Sequence, residues 1–391
     1  MLSMPKVDDF PKWLVNLRRM FHMYPELSFQ EHETTQRIAS ALKELCVEVT
    51  TFPDITGVVG LLRGAESGPT MALRSDMDAL PLQELNEVPY KSTRDGIMHA
   101  CGHDAHMAIL LGTARKVVES NLMSRAKGNL KFIFQPAEEI LGGAKALIER
   151  RVLDDPPVDC IASLHVGPHI PAGKIGLYGE QAYASADAFE IVFIGSGTHG
   201  ARPDEGRDPI TASAYFITAL QTIVSRNIKP IHAAVVSIGK IHAGRLPNII
   251  PEKVTLEGTL RSLVQENRLK MIERLKEIAT GISEAFQVSH KFKLREGSPS
   301  IKNDPQLARA FRRVAEKVLG KDNIIEEPPT MGGEDFAFYA QRCPAAIVRL
   351  GCGNPEKGIV HPLHSPRFDL DERALPIGVD LFFELVRDFF T

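Results

Sequence analysis

Basic charge is not in surplus in this chain: 46 Lys and Arg stand against 49 Asp and Glu, a net charge of -3. Surfaces for nucleic acid or anionic membrane draw on such a surplus, so neither is expected as a partner. Long apolar runs are missing too, and without one no helix spans a bilayer. Met1 to Phe10 carries Pro5 and two aspartates and lacks the basic-then-apolar order of a secretion signal. Cysteine is scarce: five residues, at 46, 101, 160, 343 and 352, are scattered and odd in number. That spacing argues against a disulfide framework and for a reducing, cytoplasmic setting, in which a thiolate can serve as a metal ligand. Internal repeats and low-complexity tracts are also absent, which excludes solenoids and linker-rich chains. What remains is an ordinary globular composition, 43% hydrophobic and 24% charged, over 391 residues. That length exceeds a typical single core, so two domains are expected.

The chain does concentrate metal-binding side chains. Met98 to Met107 reads Met-His-Ala-Cys-Gly-His-Asp-Ala-His-Met and holds His99, Cys101, His103 and His106. A lone histidine near a helix start is more often a cap or a surface group. Four candidates in one short stretch are harder to assign that way. Cys101 and His103 flank one glycine, and in a loop that spacing lets both side chains converge on one ion. Imidazole and thiolate suit zinc, and less exclusively manganese or cobalt.

Apolar spacing predicts helices over Phe10–Met23 and Glu31–Leu45, separated by the break Tyr24-Pro25-Glu26. Val47–Thr51, Val58–Arg63 and Thr70–Ser75 read as strands. The third runs into Asp76-Met77-Asp78, which alone is as well a solvated turn as a site. A helix over 107–120 follows the histidine-rich loop. Leu130–Gln135 reads as a buried strand that ends in Pro136-Ala137-Glu138-Glu139. Alone, that glutamate pair could be the acidic first turn of a helix. Cys160–Leu164 is a strand that ends at His165. Together, these strand ends supply Asp76, Asp78, Glu138, Glu139 and His165, and the loop supplies Cys101 and His103. A parallel sheet gathers such groups along one edge.

The pattern changes near Ala184. Strand Ala188–Ile194, helix Pro209–Ser225, strands Ala233–Gly239 and Val254–Arg261, helix Glu266–Ala285 and strand Val288–Leu294 follow in the ferredoxin-like order β-α-β-β-α-β. Helix Pro305–Leu319, a helix opening at Met331–Phe336, strand Ala346–Leu350, a Pro-bracketed loop with His361 and His364, and closing helix Asp371–Phe390 complete the chain. The expected fold is α/β: a mixed-sheet α/β metallohydrolase catalytic domain over 1–183 and 299–391. A ferredoxin-like α+β domain is inserted in it at 184–298.

Cys101, His103, Glu139, His165 and His364 would make five ligands. Four fill one tetrahedral zinc site, so five imply two divalent ions with a shared ligand and open positions. Glu138, next to a ligand, is the candidate general base. Asp78 suits the task of orienting His103 through its other ring nitrogen. The reaction class is metal-assisted hydrolysis of an amide or ester.

These residues resemble the M20 metallopeptidases, and within them the M20D amidohydrolases. That group includes hippurate hydrolases, aminoacylase-like N-acyl-amino-acid amidohydrolases, auxin-conjugate hydrolases and N-acetyl-diaminopimelate deacetylases. The matching stretches are Arg74-Ser-Asp-Met-Asp-Ala-Leu-Pro81, Met98–His106, Phe134-Gln-Pro-Ala-Glu-Glu139, Leu164-His-Val-Gly-Pro168 and His361-Pro-Leu-His-Ser-Pro366. The resemblance implies that Cys101, His103, Glu139, His165 and His364 are metal ligands, Glu138 the base and Asp78 the buried active-site aspartate. It implies that the inserted domain is a lid that also forms the interface of a homodimer or higher homo-oligomer. Gly197-Thr-His-Gly-Ala-Arg-Pro203 makes His199 a substrate-binding residue, and Pro247–Pro251 and Gly258–Arg261 do the same for Asn248 and Arg261. Many two-zinc relatives carry His-x-Asp where Asp76-Met-Asp78 stands, and a bridging Asp where Cys101 serves. The metal, zinc, manganese, cobalt or nickel, is therefore open.

The implied activity is cleavage of an N-acyl amino acid to a carboxylate and a free amino acid. A dipeptidase or carboxypeptidase on the same centre is the alternative. A metal-dependent binding protein without turnover is a third reading, and Glu138 weighs against it, since a structural metal site needs no adjacent base.

Overall fold

A computed structural model describes residues 9–391. Residues 1–8, on which most of the leader reading falls, lie outside the described residues. The chain divides into two compact units. One holds the chain up to Glu180 together with Lys302–Pro328 and Asp335–Thr391; the other holds Gln181–Ile301 and Pro329–Glu334. Among the described residues, no helix is long and apolar enough to cross a membrane.

The first unit is built on an eight-stranded mixed sheet. Its strands lie side by side in the order Glu48–Thr51, Val58–Arg63, Lys127–Gln135, Glu66–Asp76, Cys160–Pro171, Ala345–Gly353, Ile175–Tyr178, Ile324–Glu327. The third to sixth of these run parallel, with Asp76 beside Gln135 and His165 beside Arg349. Residues Thr70 to Asp76 are all buried, so both faces of the sheet are covered there. Strands of that kind read as continuous apolar runs such as Met71-Ala72-Leu73 and Phe132-Ile133-Phe134. Helices Phe10–Met23, His103–Glu119 and Ala374–Phe390 pack on one another and share one core with the sheet, around Trp13, Leu110, Phe132 and Phe382.

Two differences from the sequence reading bear on the site. The helix expected over 107–120 begins at His103, so His103 and His106 stand on its first turn rather than in a loop. Its N-cap is Gly102 at φ 82, and a Cβ there would lie 2.3 Å from a Val166 methyl carbon. Only glycine meets both demands. The helix expected to open at Met331–Phe336 is irregular up to a short helix, Ala337–Ala340.

The second unit carries a four-stranded antiparallel sheet in the order Ala234–Ala243, Lys253–Ser262, Ser185–Ile194, Ser289–Arg295. Burial alternates along Lys253–Ser262, the mark of a sheet covered on one face. Helices Pro209–Leu220 and Gln265–Phe286 cover that face through Phe216, Leu220, Met271 and Leu275. The order along the chain is β-α-β-β-α-β.

Candidate metal centre

In the first unit, the parallel strands and the start of helix His103–Glu119 bring Cys101, His103, Glu138, Glu139, His165 and His364 together. The ligand atoms fall into three sets, each within 4.8 Å: Cys101, His103 and His165; Cys101, Glu139 and His364; His103, Glu138 and Glu139. Cys101 Sγ lies 3.5 Å from His165 Nε2, His364 Nε2 lies 3.5 Å from Glu139 Oε2, and His103 Nε2 lies 3.9 Å from Glu139 Oε1. Two ligand atoms on one tetrahedral zinc, each about 2.0–2.3 Å from it, stand roughly 3.3–3.8 Å apart. The spacing is therefore close to that of groups sharing a cation.

The ring orientations agree. His103 Nδ1–H donates to the Asp78 carbonyl at 2.8 Å, and His165 Nδ1–H donates to the Val166 carbonyl at 2.8 Å. Each ring thus keeps Nε2 as a lone-pair donor toward the centre. His103 Nε2 and Glu139 Oε1 are buried and have no hydrogen-bond partner in the chain. A divalent ion would satisfy both, so these residues fit a metal.

The charges of the bare cluster are poorly balanced. Burial and the Glu139 carboxylate push the Cys101 thiol well up. Burial raises Glu139 to about 7, against the pull of His103. Burial disfavours a charged His103, yet Asp76 and Cys101 raise it well above the usual imidazole value. Burial and the Arg349 guanidinium hold His165 well below that value. A bound cation reverses this logic for the thiol and the carboxylate.

Asp78 is 1% exposed and organises the turn that follows strand Lys127–Gln135. Its carboxylate accepts from the Glu138 and Glu139 amides, both at 3.0 Å, and from the Ser28 hydroxyl at 2.7 Å. Its closest bond to His103 runs through the backbone carbonyl, whereas the carboxylate lies 3.4 Å from Nδ1. Glu138 is buried beside His103 and Glu139.

Supporting residues surround the candidates, and His106, Asp76 and Arg74 among them lie in stretches that the sequence reading had picked out. His106 Nε2 accepts from the Val166 amide at 2.9 Å, so its Nδ1–H donates to Asp76 at 2.6 Å. With both nitrogens engaged, His106 is a brace between two strands, although it lies near His103. Arg74 binds the other Asp76 oxygen at 2.8 Å and Asp335 at 3.0 Å, and Gln135 joins Arg74 to Asp335. Arg74 and Asp76 are two apart on one strand, hence on one face, which was a usable signal. Asp335 lies far along the chain from its partners; Glu334-Asp335 reads from sequence as an acidic first helical turn or a site lining, with no partner named.

The three remaining candidates lie in the second unit. His199 is exposed, and its Nδ1 accepts from the Ala201 amide at 3.0 Å. His199 pairs with Ile249 in a two-stranded ladder, and the Gly200 amide donates to the Asn248 carbonyl at 2.8 Å, so His199 and Asn248 are neighbours. Arg261 is part-buried and donates to the Asp187 and Leu260 carbonyls.

A mixed α/β sheet that gathers a thiol, imidazoles and carboxylates at the carboxyl edge of its parallel strands defines a hydrolase of the metal-ligating class. The chain belongs to peptidase family M20/M25/M40, whose profile matches residues 72–388. It is 40% identical over 373 residues to N-acetylcysteine deacetylase of Bacillus subtilis, covering 95% of each chain. It is 37% identical over 377 residues to thermostable carboxypeptidase 1 of Saccharolobus solfataricus, covering 95% of this chain and 94% of that one. Among solved structures, the YXEP protein of Bacillus subtilis, a dinuclear metal binding peptidase from the M20 family, matches with a TM-score of 0.85 at 37% identity. That match covers 97% of this chain and 98% of the other. The chain is an amidohydrolase of this family.

Proposed function

We propose that the protein hydrolyses the amide bond of an N-acyl amino acid, releasing a carboxylate and a free amino acid, at two divalent ions held by Cys101, His103, Glu139, His165 and His364. The observation that carries this reading is the convergence of those five side chains with Glu138 beside them. Two such ions, when bound, polarise the amide carbonyl and lower the pKa of water. Zinc, manganese, cobalt and nickel all suit the donor set. Glu138 takes a proton from the attacking water and passes it to the leaving amine. Asp78 fixes the spacing of base and ligand, because its two oxygens hold the amides of both. His199, Asn248 and Arg261 serve as substrate contacts: His199 toward the carbonyl, Asn248 through its amide N–H and Arg261 through a charge-assisted bond to the carboxylate. The deacetylase relative supports the acyl-amino-acid assignment.

The carboxypeptidase relative supports a second reading, cleavage of short peptides at the same centre. Faster hydrolysis of a free dipeptide than of its N-acyl analogue would favour that reading. The protein is read as a homodimer or higher homo-oligomer through the second unit, whose outer strand Ala234–Ala243 exposes Val235 and Ile241; sedimentation tests this. Its five free cysteines support a reducing, cytoplasmic setting.

The test is hydrolysis of hippurate and of N-acetyl amino acids after loading with cobalt or manganese. Glu138→Gln is expected to lose at least about 10²-fold in kcat, the scale of a general base. Undiminished turnover in that variant would remove the mechanism.

A further inference from the structure

Three consecutive amides of the catalytic turn each donate to a buried carboxylate. Glu138 and Glu139 donate to Asp78, and the Ala137 amide donates to Glu31 Oε1 at 2.9 Å. Ala137 sits at φ 52, in the left-handed region that an alanine rarely adopts. A surrounding contact must hold it there, and the Glu31 bond is the one made by its own amide.

Glu31 has no evident task in its own element. It occupies the N-cap position of helix His32–Glu44, yet its side chain makes no cap bond. The Glu26 carboxylate takes the Glu33 and Thr34 amides instead, at 3.2 and 2.8 Å. Glu31 is 0% exposed, and its second oxygen accepts from the Thr56 hydroxyl at 2.5 Å. A fully buried carboxylate is costly to keep, and a helix whose cap is already supplied does not require it. The turn does: without that acceptor the Ala137 amide is a buried, unpaired donor in a strained residue, immediately before the base and a ligand.

We propose that Glu31 is a positioning residue for hydrolysis, holding Ala137 in its left-handed conformation and so fixing where Glu138 stands relative to Glu139. The proposal rests on Glu138 being the base. Glutamine keeps an acceptor for the Ala137 amide, alanine removes it, and glycine at 137 adopts positive φ with no help.

The experiment compares kcat, KM and bound metal, on an N-acetyl amino acid, for Glu31→Ala, Glu31→Gln, the double variant Glu31→Ala with Ala137→Gly, and Glu138→Gln. Glu31→Ala is expected to lose about tenfold or more in kcat with KM within about threefold, since small misplacements of a reacting group carry such penalties. Glu31→Gln should stay within about threefold of wild type, and the double variant should recover at least about threefold over Glu31→Ala. A merely structural role would not give that rescue with the kcat–KM split. Should Glu31→Ala not fold, Glu31→Asp keeps the charge but withdraws the oxygen by one methylene and reads the same loss. Wild-type kcat in a folded Ala or Asp variant, or a loss that neither Gln nor Gly recovers, overturns the proposal. An inactive Glu138→Gln beside an active Glu31→Ala removes this inference alone; an active Glu138→Gln removes the general-base reading and this inference with it.

Discussion

Cys101 is 6% exposed, and burial together with Glu139 holds its thiol well above the usual pKa. Without an ion it keeps its proton across the neutral range, whereas a metal needs the thiolate. Binding through Cys101 must therefore release a proton, and the raised His103 adds another, so affinity should rise at least about tenfold per pH unit below these raised pKa values. Metal titration calorimetry in buffers of different ionisation heat reads this directly; binding without proton release would mean that Cys101 is not a ligand. At this scale the sequence was most informative where chemistry is local. Cys101 and His103 are two apart, Glu138 and Glu139 are adjacent, and Asp76 ends a strand with Asp78 two residues on. It was silent where a residue acts on a distant stretch. Glu31 on Ala137, Ser28 on Asp78 and Asp335 on Arg74 are joined only by the fold. None belongs to a local pattern of ligand types.

Elements with a clean period or a clear cap were legible. Helices Phe10–Met23 and Pro305–Leu319 and strand Val58–Arg63 begin and end where the apolar spacing places them. Pro305–Leu319 owes its start to Asp304, which accepts from the Gln306 and Leu307 amides at 2.9 Å, with proline in the first turn. Asp304→Ala should cost about 1 kcal/mol, seen as a lower urea midpoint at unchanged slope. Of the four-residue strands in the sheet, Glu48–Thr51 was read from sequence and two others were not. Ile175–Tyr178 and Ile324–Glu327 span four residues each, too few to show a period. The early start of helix His103–Glu119 was hidden because its first turn is built from site residues rather than an apolar stripe. Arg18 of helix Phe10–Met23 has no exposed side chain and joins Asp104, next to His103, to Asp369, beyond His364, at 2.8 and 3.0 Å. Arg18→Met strips the guanidinium from the buried Asp104, which then keeps the His22 bond at 2.7 Å, and should cost about 3–5 kcal/mol in chemical denaturation. A loss under about 1 kcal/mol would assign the pairing no structural weight.

At the scale of the molecule, the class of fold followed from the change of pattern near Ala184 and the resumption of α/β signals after it, but strand order did not. Ala345–Gly353, from the last part of the chain, lies between Cys160–Pro171 and Ile175–Tyr178, which are near neighbours in sequence. Its parallel pairing with Cys160–Pro171 is a long-range contact that no local spacing announces. That pairing sets Arg349 beside His165, and with it the electrostatics of one proposed ligand. The site is a product of distant stretches: its proposed ligands come from around residues 101, 139, 165 and 364. The most direct test is a crystal structure of metal-loaded protein with anomalous data at the absorption edge of the loaded ion. The account predicts two peaks about 3.5–4 Å apart, ligated by Cys101, His103, Glu139, His165 and His364, with Glu138 beside them. A single ion, or ions held elsewhere with those five side chains turned apart, would contradict it.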